Sequence, residues 1–212
     1  MTTTQPAPHR ALRKDATENR RRLIDAAKGV FAEHGLEAGV EEVAHVAGVG
    51  IGTLYRRFPT KDALIAELVR ELLEDVVRLA HEAQDLGAGR GLEWFLYGIG
   101  ETQAANRGCL ARVWSDDTSN ALRDEYRGLM LRLLADAREH GTVRDDATLT
   151  DIDLLFWSLR GVLEATGDAS GPAWRRQVAV SVAGLRPSPE ALAQPPVPDA
   201  LVAAVRVAAL KH

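Results

Sequence analysis

Thr53, Tyr55, Arg56, Arg57 and Lys61 stand close together in the stretch AHVAGVGIGTLYRRFPTK, Ala44–Lys61, which contains no carboxylate. Hydroxyls, guanidinium groups and an ammonium without a neutralising acid are the chemistry of polyanion binding. Projected on a 3.6-residue period, Ile51, Leu54 and Phe58 fall on one side of the segment Gly50–Phe58 and are expected to pack. Gly52, Thr53 and Arg56 fall on the other side, with Tyr55 and Arg57 on its edges. Small Gly52 admits close backbone approach, Thr53 hydrogen-bonds, and Arg56 suits a phosphate or a guanine edge in a major groove. Lys61 opens a following helix, where a cation opposes the macrodipole unless a phosphate lies nearby. Arg20 and Arg21, preceded by Arg10, Arg13 and Lys14, add a second basic cluster upstream. The pattern equally describes a solvated cationic face; the alternative function is a helical protein-binding adaptor without sequence-specific DNA binding, with the tail Pro187–His212 in that role.

Three short helices must position this face. The first is expected from about Asp15, which precedes Glu18 at capping-box spacing; Leu23, Ala27, Val30 and Phe31 follow at helical intervals and Gly35 stops it. Val40, Val43, Ala44 and Ala47 form a second stripe, and Gly48 turns the chain into the third helix, which Pro59 ends. Two helices joined by a tight glycine turn are the helix-turn-helix pattern.

Thr60 caps a fourth helix along Leu64, Leu68, Leu72 and Val76. Helices are further expected around Leu92–Ile99, over Asn120–His140, from about Asp151 to Thr166, and from Pro172, with a short one near Val202–Leu210. Strand-like alternation is absent, so the fold class is all-α. The expected organisation is a disordered arm over 1–14, a helix-turn-helix unit over 15–60, a helical regulatory and dimerisation unit over 61–186, and a proline-rich tail over 187–212.

The chain of 212 residues carries 26 Lys and Arg against 30 Asp and Glu. Residues 1–60 hold nine basic and seven acidic side chains, leaving a net −6 for the remainder. A basic start on an acidic body suits a polyanion-binding end. The lone Cys109 excludes an intrachain disulfide, and no apolar run is long enough to span a bilayer, so a cytoplasmic protein without membrane contact is expected. Enzymatic readings fail on spacing. His81–Glu82 is followed by Asp85 where a zinc protease needs a second His, and Gly48–Gly52 lacks a dinucleotide loop's strand context. Neither cofactor nor metal is expected.

The residues Phe31–Leu36, Val43–Ala44 and AGVGIGTLYRRFPTKDALI resemble the amino-terminal domain of TetR-type transcriptional regulators over about Asn19–Leu68. The resemblance implies an all-helical homodimer that binds double-stranded operator DNA and a small-molecule effector of unidentified structure. It makes Gly50–Arg57 the recognition helix and Thr53, Tyr55, Arg56 and Lys61 its contacts. Two departures stand out: Ala38–Gly39 replace the usual hydroxyl residue before the second helix, and Gly50–Ile51 replace a polar start to the recognition helix.

For the effector, the aromatic cluster supplies Trp94, Tyr97, Trp114 and Phe156, with Glu101 as a polar anchor beside Asn106 and Arg112. For the dimer, Leu154, Trp157, Ser158 and Gly161 form one stripe and Trp174, Val178 and Val182 another, the material of an isologous four-helix interface. Both stripes are also consistent with closing their own subunit's core.

Overall fold

A computed structural model describes residues 8–113, 119–167 and 170–209 of the chain, and all regular structure among them is helical. α1 (Pro8–His34), α2 (Val40–Val46) and α3 (Ile51–Arg57) form a three-helix unit. α4 (Lys61–Asp85) leaves it directly and packs on α5 (Gly91–Ala105) and α6 (Asn120–Glu139), with a 3-10 helix (Arg107–Arg112) set between. α7 (Leu149–Thr166) and α8 (Ser170–Leu185) pair with one another, and α9 (Asp199–Ala209) lies on α7. Buried side chains from Leu23 to Leu185 make one continuous core, so the three-helix unit is fused to the body through the apolar face of α4.

The turns follow the local chemistry. Gly48, at φ +65°, takes the left-handed conformation that lets α2 turn sharply into α3. Thr60 Oγ1 accepts the Ala63 N–H at 3.0 Å and caps α4. α7 begins at Leu149, two residues before the expected start, because the Asp151 carboxylate folds back to accept the Thr148 N–H at 2.6 Å. α8 begins at Ser170, which leaves Pro172 in the first turn, where its missing N–H costs nothing.

α1 differs more. It starts at Pro8, so residues 8–14 are helical rather than a disordered arm, and Asp15 lies inside the helix rather than capping it. The run Arg10–Ala16 contains no Gly, Pro or β-branched residue to stop propagation back to Pro8. The 3-10 helix was not expected, since six residues are too few for an apolar period to emerge. Cys109 within it is buried, which pushes its thiol up to about 11 and leaves it protonated and inert at neutral pH.

The proline-rich segment after α8 is tied down. Arg144, itself buried, binds the Asp146 carboxylate and donates to the Glu190 carbonyl at 2.6 Å, while Asp146 Oδ2 accepts the Leu192 N–H at 2.9 Å. Hydrogen bonds from Arg144, and then from the Leu192 amide, hold the Asp146 carboxyl down to about 2. Because that lies below the ordinary value of about 4, the clamp is intact above pH 4 and is lost as pH falls toward 2. Asp146→Asn should therefore release at pH 7 the tail that the wild type releases only in acid. Broad-specificity proteolysis within residues 187–198 reads the variant, and pepsin reads the wild type across pH 4 to 2. Equal resistance of variant and wild type at pH 7 would refute the clamp.

Candidate nucleic-acid interface

α3 is anchored by Leu54, which is fully buried, and by Phe58 just beyond its end. The opposite face is open: Gly50, Gly52, Arg56 and Arg57 are exposed, Tyr55 is 44% exposed and Thr53 is half-buried. Arg56 Nη2 donates to Thr53 Oγ1 at 2.8 Å, which draws the guanidinium and the hydroxyl into one patch. Lys61, the first residue of α4, sits half-buried beyond Pro59. The neighbouring Asp62 carboxylate is taken up by Arg112 of the 3-10 helix at 3.1 Å, which lessens the acidity beside Lys61.

Two expectations are corrected here. Ile51 does not pack: it is 40% exposed, because as the first residue of α3 it projects from the turn before the helix reaches the core. Arg20 is not displayed beside the α3 patch; its guanidinium is bound by Glu67 and Glu71 of α4, and Lys28 joins Glu71 at 3.6 Å. The basic cluster thus divides. Arg20 fastens α1 to α4, while Arg21 stays open beside Glu18. The side chains of Arg10, Arg13 and Lys14 lie outside the described residues. Sequence reasoning missed His45 and Val46, exposed at the end of α2 beside the glycine turn. The available signal was that both fall outside the Val40, Val43, Ala44 and Ala47 stripe, next to the glycine turn.

An apolar cavity of about 70 Å³ lies in the body. Leu72, Leu73 and Val76 of α4 form one wall, and Ile99 and Gln103 of α5, Leu110 of the 3-10 helix, Tyr126 of α6 and Phe156, Trp157 and Arg160 of α7 complete it. Phe156 stands where expected, in an aromatic trio with Phe95 and Tyr126 whose ring centres lie 6.2–6.5 Å apart. Trp94, Tyr97 and Glu101 do not line it. They occupy the outer face of α5, with Trp94 41% exposed and Glu101 paired to Arg175 of α8 at 3.3 Å. Two apolar faces of α5 cannot be told apart by sequence; the face bearing Phe95 and Ile99 is the one turned inward. Trp114 lies outside the described residues. Asn106 binds its own helix through Thr102 O, and Arg112 is committed to Asp62. Gln103 Oε1 is buried without a partner in the cavity region.

The two stripes assigned to a dimer contact divide as well. Leu154, Ser158 and Gly161 are exposed on α7, whereas Trp157 is half-buried and lines the cavity. Trp174, Val178 and Val182 are buried inside their own subunit, because Trp174 packs on Gly100 of α5, where a Cβ would overlap its ring. The open face of α8 carries instead Arg176, Val180, Ala183 and Gly184.

A fused three-helix unit whose third helix offers a cationic, carboxylate-free face defines a DNA-binding protein of the helix-turn-helix kind. The model for bacterial regulatory proteins of the tetR family matches residues 23–68, and a model for the C-terminal domain of SbtR-like transcriptional regulators matches residues 88–187. A TetR transcription regulatory protein from Mycobacterium vanbaalenii is 31% identical, with 82% of this chain and 99% of that one covered and a TM-score of 0.59. A TetR regulator from Streptomyces coelicolor is 28% identical, covers 80% of this chain and 99% of its own, and has the same TM-score. The transcriptional repressor KstR2 of Rhodococcus jostii is 29% identical over 155 residues, 66% of this chain and 74% of its own. The chain belongs to the TetR family of transcriptional regulators. Among the described residues no helix is long and apolar enough to cross a membrane.

Proposed function

We propose that this regulator is a ligand-responsive repressor that binds a palindromic operator as a homodimer. Its working parts are residues up to 60 for DNA, 61–186 for effector and dimer, and a tail beyond. The observation that carries the reading is the open α3 face, where Arg56 is hydrogen-bonded to Thr53 and Leu54 is locked into the core. Gly50, Gly52 and Thr53 meet the groove, Ile51 touches a thymine methyl, and Tyr55, Arg56, Arg57, Lys61 and Arg21 meet phosphates or base edges. KstR2 of Rhodococcus jostii, named a repressor, supports the sign of regulation.

The effector is a mainly apolar small molecule that offers a hydrogen bond to Gln103. At about 70 Å³ the cavity is smaller than the roughly 150 Å³ that holds a benzene, so binding must push its walls apart. Two walls lead to the DNA-binding unit. α4 runs from Leu72 back to Lys61, and the 3-10 helix carries both the cavity residue Leu110 and Arg107, whose Nε donates to the Ala32 carbonyl at 3.2 Å. Expansion therefore moves α1 and the start of α4 together. It spoils the match of two recognition helices to successive major grooves, about 34–36 Å apart. The unliganded, DNA-competent state is the one with the cavity closed.

Operator binding tests this reading. Sites selected from random DNA give the operator, and titration across salt then reads the contacts. Arg56→Ala and Lys61→Ala should each lower affinity about fivefold to tenfold and reduce the salt slope by about one. Unchanged affinity and slope in both variants would refute the contact face.

A further inference from the structure

We infer that the effector is a small apolar carboxylic acid whose carboxylate is bound by Arg160 at the edge of the cavity. The inference rests on the cavity reading proposed above and names the chemistry of the molecule that enters. Apart from Gln103 and Arg160, every side chain lining the cavity is aliphatic or aromatic. No carboxylate lines it. Asp153, two turns before Arg160 on α7, is buried but stands outside the lining. Among the described residues the cavity therefore carries one full charge, and that charge is positive.

The guanidinium still has bonds to give. Arg160 donates from Nε to Glu164 Oε1 at 2.6 Å, one turn further along α7. Neither of its Nη groups has a hydrogen-bond partner among the described residues. The edge formed by Nη1 and Nη2 matches the two oxygens of a carboxylate as a fork. Glu164 is a weak competitor, since an exposed pair within one helix is worth little.

The placement of this charge selects the ligand. The Arg160 side chain lines the cavity and is also 37% exposed, so it reaches from the apolar walls to solvent. An acid can leave its charged end at this rim while only its apolar body enters the dry interior, and burial of an unpaired charge is avoided. A neutral molecule seated there strips water from the guanidinium and returns weaker bonds. A cation meets only like charge. Inside, Gln103 Oε1 is a buried acceptor, so a hydroxyl on the apolar body gains a further bond.

The test uses the full chain with benzoate, cyclohexanecarboxylate, octanoate, naphthoate and hydroxynaphthoate, each beside its own carboxamide, which has nearly the same shape and no charge. Calorimetric titration reads binding, and a gel shift on the selected operator reads release. Acids that bind should do so about tenfold to a hundredfold more tightly than their amides, the worth of hydrogen bonds to a charged group. Arg160→Gln should bring acid and amide within about threefold of each other and leave the amide's own affinity unchanged. Glu164→Gln, at an exposed position, removes the competing carboxylate and should tighten acids about twofold without effect on amides. Acids that bind no better than amides, or a preference for acid that survives Arg160→Gln, overturn the inference and leave the cavity reading standing. If the thermal midpoint shows that Arg160→Gln does not fold, Glu164→Gln decides, and acid affinity no tighter than wild type overturns the inference. An acid that binds through Arg160 without releasing the operator overturns its role as effector. Binding of neither acid nor amide, with the operator still held, removes the cavity reading and this inference with it.

Discussion

Gly161→Arg is expected to fold like the wild type, to sediment as a monomer, and to lose about 100-fold or more of its affinity for a full operator. Nothing lies within 4 Å of a Cβ built on Gly161, and the position is exposed on α7, so the subunit accommodates the new side chain. Replacing glycine inside a helix even favours the helix, by up to about 1 kcal/mol. In the proposed homodimer, pairing through the exposed face of α7 and α8 would bring this side chain against the partner, where small residues such as Ser158, Ala183 and Gly184 would allow close approach. Separate monomers bind each half-site independently, and linkage of two half-sites is commonly worth 10²–10⁴ in affinity. Light scattering together with operator titration checks the result. A variant that remains dimeric, or that binds the full operator as tightly as wild type, would show that copies meet elsewhere.

Gly108→Ala is the second large effect. Gly108 lies in the 3-10 helix against the backbone of Phe31 and Ala32 in α1, so close that a Cβ would overlap main-chain atoms. Main chain inside a helix cannot swing aside as a side-chain tip can, so the 3-10 helix and α1 must part. The expected cost is about 2–3 kcal/mol, in the range of overpacked sites. For a chain of this size that is a fall of about 5–10 °C in Tm. Parting these elements also breaks the Arg107 bond to the Ala32 carbonyl, the connection through which the proposed cavity expansion would reach α1. Operator affinity should therefore fall at least tenfold with no effector present, as if the protein were already induced. Calorimetry and a gel-shift titration read the two effects. A Tm within 1–2 °C of wild type, with operator affinity intact, would mean that the contact is neither tight nor coupled.

How much of this was legible beforehand varies by element. The turn at Gly48, the buried Leu54 and the cap at Thr60 all follow from local rules, because each depends on backbone conformation within a few residues. The long amphipathic helices were readable for the same reason: an apolar stripe repeated over five or six turns has one helical solution. Arg20 was misread because its partners, Glu67 and Glu71, lie more than forty residues away on α4. Trp94 and Tyr97 were misread because α5 is apolar on more than one face, and periodicity does not say which face has a neighbour. Trp174 lies on an amphipathic stripe that suits an interface equally well, and only the close approach of its ring to Gly100 turns it into its own subunit. Trp157, taken for the interface, lines the cavity because α7 serves two neighbours at once.

The amino-acid sequence alone determined the all-helical class, the helix-turn-helix and the family resemblance, since these rest on short-range periodicity, glycine conformations and one compact motif. Tertiary structure alone decided which cations remain open, which aromatic residues surround the cavity and which face of α7 and α8 is free. Those outcomes depend on pairs of helices brought together from distant parts of the chain, where charge pairing and close packing select one of several faces that are equally amphipathic in isolation.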